Sequence, residues 1–368
     1  MHSDDTMDQS TFRRQLRTGV TGHNRSRAEQ GFILFSPLAM LNVTYAINME
    51  GEVVHEWRHD CAVGLYGNLL ENGNLFMGCK MRDSSWDIFR IWPAFKGGEI
   101  REVTPDGEVV WRHVDQFHHH DQRRMDHGGC LYLSLEEIPG DLSSQIFGGH
   151  PPPDQKGMYS DVIVEVDRHG NTLWEWHAID HLNPETDWLP ESEPRWEWTH
   201  GNTIAPIGDD RVLVSFRAIH TIGIIEKSSG RFLWKYRNPM MGGQHDPQML
   251  PNGNILLFDN GTQRRAMGTL PYSRVIEINP GTNQVEWQYE DAPPYAFYSQ
   301  QVSGAQRLPG GNTLICEGVR GRLFQVTPEG EVVWEYVSPF FGPNPFDFEI
   351  NMVFRAFHYK PEQLPFVQ

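Results

Sequence analysis

Residues 102–113 read EVTPDGEVVWRH, and this fragment decides the fold because five other stretches repeat it. They are AINMEGEVVHEW at 46–57, EVDRHGNTLWEW at 165–176, IEKSSGRFLWKY at 225–236, EINPGTNQVEWQY at 277–289 and QVTPEGEVVWEY at 325–336. Each copy runs from alternating apolar residues into a Gly or Asn turn, then into β-formers and an aromatic. Asp106-Gly107 supplies the positive φ of a tight hairpin, and Val109-Val110-Trp111 suits a pleated, half-buried strand. The aligned residues His55, Trp111, Trp174, Trp234, Trp287 and Trp334 recur every 47 to 63 positions. A hairpin repeat of that length is the signature of a β-propeller, and six copies predict six four-stranded blades.

A second refrain lies between the copies. It reads LLENGNLF from Leu69, MLPNGNILLF from Met249 and RLPGGNTLIC from Arg307, with looser versions from Arg124 and Ile204. Its Asn-Gly or Gly-Gly sets another turn, and the apolar run after that turn is expected to be the innermost strand of each blade. The chain opens on outer-strand text (31–36 and 43–57) and ends on the apolar stretch 350–359. Joining the two would complete the last blade from both termini and leave no open sheet edge.

Residues 1–30 are polar and patternless, so a disordered arm is expected there, followed by a single propeller domain over 31–368. No apolar signal region precedes the repeats, and no run of about 18 apolar residues exists to span a membrane. Cys61, Cys79, Cys130 and Cys316 lack CxxC spacing and are expected as buried free thiols in a cytoplasmic protein. The 31 Lys and Arg against 48 Asp and Glu leave a net charge of −17, which argues against a nucleic-acid partner. A small anionic substrate remains compatible, because local cations in a pocket outweigh a diffuse surface charge.

The chemistry is expected where the innermost strands begin. Six positions ahead of the second refrain's turn stand His120, His200 and His245 in three consecutive repeats, with Ser303 and Leu65 in two others. In a propeller that address lies at one mouth of the channel, so the three imidazoles should converge. Asp246 follows His245, and Asn202 stands two residues after His200. Tyr295 and Tyr298 are candidates for an aromatic pocket wall, and the Pro/Gly-rich insertion 138–159 suits a lid or an oligomer contact.

The run GGQHDPQMLPNGNILLFDNGTQRR (242–265), with WTHGNTIAP (198–206) before it and INMVFRAFHY (350–359) at the end, resembles the arylsulfotransferase family. The resemblance implies a six-bladed propeller whose channel mouth holds several His and an Arg. It implies transient sulfation of a His as sulfate passes from a donor phenyl ester to an acceptor phenol, with no nucleotide cofactor. Matched by motif, His200, His245 and either Arg264 or Arg265 would bind the sulfuryl oxygens. The family's nucleophilic His comes from the repeat after FDNG, where this chain has Ser303, and His120 could serve instead. Two other readings stay open on the residues alone. Three converging imidazoles can hold one divalent metal for hydrolase or lyase chemistry, and a propeller can be a non-catalytic binding scaffold.

Overall fold

Each quoted fragment is a hairpin whose turn chemistry is local. In the copy at 102–113, Gly107 takes φ +88° and its N–H donates to Thr104 O at 2.9 Å. That turn joins Gly98–Val103 to Val109–Val114 as the two outer strands of a blade. The second refrain makes the inner hairpin, and its Asn residues tie it to the outer one. Asn72 and Asn74 both donate to Glu102, and Asn252 and Asn254 both donate to Glu277.

The computed structural model describes residues 17–38, 42–88, 95–151, 157–238, 241–262, 264, 270–343 and 349–367. These build six antiparallel blades around an axis. Blade 1 takes its innermost strand, Val353–Tyr359, from the C-terminus and the other three (Phe32–Pro37, Val43–Ile47, Val53–Arg58) from the N-terminus. The innermost strands of blades 2 to 6 are Val63–Leu69, His119–Arg124, Gly201–Ile207, His245–Met249 and Gly304–Arg307. These strands lie before the Asn-Gly turn, which corrects the expectation that the apolar run after the turn is innermost. That run, such as Ile255–Asp259, is the second strand; it is buried on both faces because blades pack against it from either side.

The repeat's aromatic address closes the circle. Trp111 donates its indole N–H to Arg168 O, Trp174 to Lys227 O, Trp234 to Asn283 Oδ1, Trp287 to Pro328 O and Trp334 to Met49 O, all at 2.7–3.0 Å. His55 Nε2 reaches Pro105 O at 3.0 Å in the same way. Every blade therefore grips the outer turn of the next, and blade 6 grips blade 1.

Two expectations are revised by the long-range pairing. Within the stretch read as a patternless arm, Gly19–His23 pairs with Val332–Val337 as a fifth strand on blade 6. Residues 1–16 lie outside the described residues. Cys61 and Cys79 form a disulfide with Cα atoms 5.9 Å apart, rather than two free thiols. The register Val63↔Cys79 brings them together, which no sequence spacing announces. Disulfides persist chiefly in oxidising compartments, so the cytoplasmic expectation loses its cysteine argument. Cys130 and Cys316 are buried free thiols. Among the described residues no helix is long and apolar enough to cross a membrane.

Trp334 is fully buried, so Trp334→Phe removes the grip on Met49 O while keeping most of the packing. We expect a loss of about 1–3 kcal/mol, seen as a lower urea midpoint at constant m, because a buried carbonyl is left without its donor. An unchanged midpoint would show that the closing hydrogen bond contributes nothing.

Candidate active site

The innermost strands of blades 3, 4 and 5 begin at one mouth of the channel, and each begins irregularly. Their pairing with the second strand slips beside His119, Gly201 and His245. At these slips His120, His200 and Asp246 adopt left-handed backbone, with φ of 52°, 49° and 55°. Each non-glycine residue held there costs about 1–3 kcal/mol, strain that the surrounding sheet must outweigh. Bulged entries of this kind re-aim side chains, here into the channel mouth.

The three predicted histidines meet. The ring centroids of His120 and His200 are 4.7 Å apart, and the Phe354 ring lies 6.2 Å from His120 and 6.0 Å from His245. Phe95 stacks on His120 at 4.6 Å and meets His200 edge-on at 5.6 Å. Each imidazole has its Nδ1 engaged. His200 Nδ1 is 2.5 Å from Glu197 Oε1. His245 Nδ1 donates to Gly243 O at 2.8 Å and Asn260 Oδ1 at 2.9 Å. His120 Nδ1 is 2.7 Å from His119 Nδ1. Nε2 is thus the ring nitrogen left for chemistry in all three.

Burial decides the charge of two rings. It holds His120 well below the usual imidazole range, and the neighbouring His200, His119, His245 and Arg217 push further the same way. Burial likewise depresses His245, with Arg217 the next cause. Both are neutral bases at neutral pH. Arg217 opens the loop after the second strand of blade 4, where its N–H donates to His200 O, and its guanidinium pairs with Glu193 at 3.3 Å. It is the cation whose field both rings feel.

Beneath the histidines the channel is plugged by a buried ionic cluster. Arg355 from blade 1 binds Asp246 of blade 5 at 2.9 Å, Asp121 of blade 3 at 3.5 Å and Thr203 Oγ1 of blade 4 at 3.1 Å. Arg123 pairs with Asp121 at 3.1 Å, and Tyr66 of blade 2 donates to the same carboxylate. Asp246 Oδ2 accepts the Ala305 N–H of blade 6 at 3.2 Å. Two guanidiniums and two carboxylates make the plug formally neutral, as burial requires. Desolvation still pushes the Asp246 carboxyl up to about 6, against the pull of Arg355 and Arg123.

The other predicted residues are placed as follows. Asp246 is committed to the plug. Asn202 is buried and donates to Gln244 O at 2.8 Å, tying blade 4 to blade 5. Ser303, with φ 89°, donates to Ser299 Oγ at 2.9 Å and accepts the Gly318 N–H at 3.0 Å. Arg264 is buried with its Nη1 2.6 Å from Asp259 Oδ2, where Arg274 also binds. Arg265 lies outside the described residues. Tyr295 is on the surface and Tyr298 is partly buried, its N–H reaching Glu317 Oε1 at 3.3 Å. Among the described residues no group of three or more His, Cys, Asp or Glu side chains is arranged to hold a metal ion.

Sequence reading missed His119, Asp161, Glu197, Arg217, Phe95 and Arg355 as parts of the mouth and its floor. His119 stood in a His run that solvated loops also show. Arg355 stood in the quoted stretch INMVFRAFHY, but only ring closure reveals its partners. Of the insertion 138–159, residues 152–156 lie outside the described residues; Ile138, Ile146 and Met158 pack into the core cluster beside blade 3, 148–150 pairs in parallel with the segment 189–194, and Arg195 binds the carbonyls of Ser143, Ile146 and Gly148.

The chain belongs to the arylsulfotransferase (ASST) family, whose profile matches residues 82–339. No curated protein matches it. Among solved structures, a protein of unknown function from Bacteroides caccae superposes with TM-score 0.54 at 14% identity, over 89% of this chain and 98% of that one. A functionally unknown protein from Desulfotomaculum acetoxidans gives TM-score 0.48 at 12% identity, over 90% and 99%. A virginiamycin B lyase from Staphylococcus aureus gives 0.47 at 11% identity, over 87% and 89%. At these identities the likeness reaches no further than the fold.

Burial makes stability depend on pH with a definite sign. His118 and His220 are held down to about 3, and His120 and His245 well below 6.5, chiefly by burial. Below about pH 6.5 the unfolded chain takes protons that these four rings refuse in the fold, so stability falls with pH. Asp246 and Glu317, both raised by burial, oppose this by holding protons that the unfolded chain releases above about pH 4. The depressed histidines outnumber these carboxyls, and His59, also held down to about 4 by burial, adds to their side, so the net effect is a loss of stability as pH falls. Urea midpoints measured from pH 7.5 to 5 should fall steadily; a flat series would show that the rings are protonated in the native state.

Proposed function

We propose that this protein moves a sulfuryl group from an aryl sulfate donor to a phenol acceptor at the His120, His200 and His245 cluster, using no nucleotide and no metal. Family membership supports the reaction class. The single observation that carries the site is the convergence of three imidazoles with committed Nδ1 atoms at the mouth of a plugged channel. The ionic cluster closes the channel beneath the histidines, and all three rings are buried. Electrostatic interactions are stronger there than in bulk water.

The roles follow from the chemistry of sulfuryl transfer. One neutral imidazole attacks sulfur through Nε2 and releases the donor phenolate. A neutral base is required, and burial keeps His120 and His245 neutral even in mild acid. Arg217 binds the sulfuryl oxygens and offsets charge in the transition state, the part first given to Arg264 or Arg265. His200, backed by the Glu197 carboxylate, passes a proton to the leaving phenolate and later takes one from the acceptor. Phe95 and Phe354 supply an aromatic wall for the donor ring.

4-Nitrophenyl sulfate with a phenol acceptor should therefore give parallel double-reciprocal lines, the pattern of a ping-pong reaction. Activity should persist at pH 5.5 and be indifferent to EDTA, and Arg217→Met should lower kcat/KM by about 10²–10³-fold. Failure with every aryl sulfate tried, or loss of activity on chelation with recovery on adding a divalent metal, would overturn the proposal.

A further inference from the structure

We infer that the attacking atom is His120 Nε2, and that His119 and Asp161 are positioning residues that keep this nitrogen free of hydrogen. The inference rests on the sulfuryl-transfer reading and locates its covalent step on blade 3, away from the blade 6 address occupied by Ser303.

The acceptors around His119 fix the tautomers of both rings. His119 Nε2 lies 3.3 Å from Ser134 O and 3.1 Å from Asp161 Oδ1. Both are acceptors, so the His119 proton belongs on Nε2. The N–H lines up on the Ser134 carbonyl, while the carboxylate oxygen stands beside that line with no aligned donor of its own. His119 Nδ1 is then a lone pair, and the nitrogen 2.7 Å from it, His120 Nδ1, must donate. A neutral His120 that donates from Nδ1 has a bare Nε2. That atom is buried and has no hydrogen-bond partner among the described residues. In the opposite tautomer it would be a buried N–H without an acceptor, a rarer and costlier arrangement than an unfilled lone pair.

Asp161 is built into this position. Its other oxygen accepts the Gly201 N–H at 2.6 Å. A Cβ on Gly201 would come within 2.8 Å of the carboxylate, so only glycine leaves room for it. His119 and His120 lie on the innermost strand of blade 3, Asp161 on its third strand, and Gly201 opens blade 4.

In the covalent step the His120 Nε2 lone pair forms a bond to sulfur as the sulfur–oxygen bond to the aryl group breaks. The electron pair leaves on the phenolate oxygen, which takes its proton from His200. Positive charge on the sulfated ring is shared through Nδ1–H with His119 and met by the Asp161 carboxylate. In the second half the acceptor phenol gives its proton to His200, its oxygen bonds to sulfur, and the nitrogen–sulfur bond returns its electrons to Nε2.

The test begins on the wild-type protein. Long-range ¹H–¹⁵N correlation of ¹⁵N-histidine-labelled protein should show His120 protonated at Nδ1 and bare at Nε2, with His119 the reverse. A proton on His120 Nε2, or two on His119, overturns the relay whether or not any substrate is known. Quenching after 4-nitrophenyl sulfate without acceptor, then fragmenting the peptides, should find SO₃ on His120. SO₃ on His200 or His245 overturns the assignment while leaving sulfuryl transfer intact, and absence of turnover removes the reaction but not the tautomer result. In Asp161→Asn the oxygen must still face the Gly201 N–H, so an NH₂ group is turned toward the His119 N–H. That variant should lose about 10²–10⁴-fold in kcat with KM nearly unchanged, the effect expected when a carboxylate that orients an imidazole is neutralised. Unaltered kcat and tautomer in the folded variant would refute a positioning role.

Discussion

A ring N–H held by the next blade's outer turn, repeated around the circle, is the contact on which the rest of this structure depends. A blade alone is a four-stranded sheet with two unpaired edges and little core of its own. The grips from His55 through Trp334 set each sheet against its neighbour, and the apolar clusters form in the gaps. Closure then needs the last strand of the chain, because Val353–Tyr359 must pair with Phe32–Pro37 before blade 1 exists. Closure also delivers Arg355 to the axis.

The axial plug converts that closure into electrostatics. Arg355 and Asp121 lie 234 residues apart in sequence, yet both are fully buried and in contact. Breaking such a cluster from one side would leave an uncompensated charge, so the plug favours a single relative placement of the innermost strands. The histidines sit on top of this floor. Burial is the chief cause of the depressed basicity of His120 and His245, with Arg217 pushing the same way, so the architecture itself keeps these two imidazoles neutral.

The strained entries connect scaffold and chemistry. His120 and His200 occupy left-handed backbone at sites where the ladder slips, and His120 thereby meets its sequence neighbour His119 nitrogen to nitrogen. Consecutive residues on a regular strand point to opposite faces, so a straight strand could not bring the two rings together. Ser303 shows the alternative outcome at a related entry. It also has positive φ, but its short hydroxyl is absorbed into hydrogen bonds with Ser299 and Gly318.

How much of this could be read beforehand follows the range of the forces involved. Turn chemistry, strand propensity and the aromatic address are written within a dozen residues, so the repeat alone determined six blades, closure by the two termini, and a His at three successive channel entries. The order of strands within a blade was misread, because a run buried on both faces looks the same at the axis as one place further out. Only the tertiary structure decided which groups became neighbours: Cys61 with Cys79, Arg355 with Asp246 and Asp121, Arg217 with His120 and His245, and Asp161 with His119. Those meetings depend on register, bulges and ring closure. The physical reason is that a hairpin is stabilised by residues adjacent in sequence, whereas a buried charge or a fixed tautomer is determined by whatever the closed ring brings within about 3 Å.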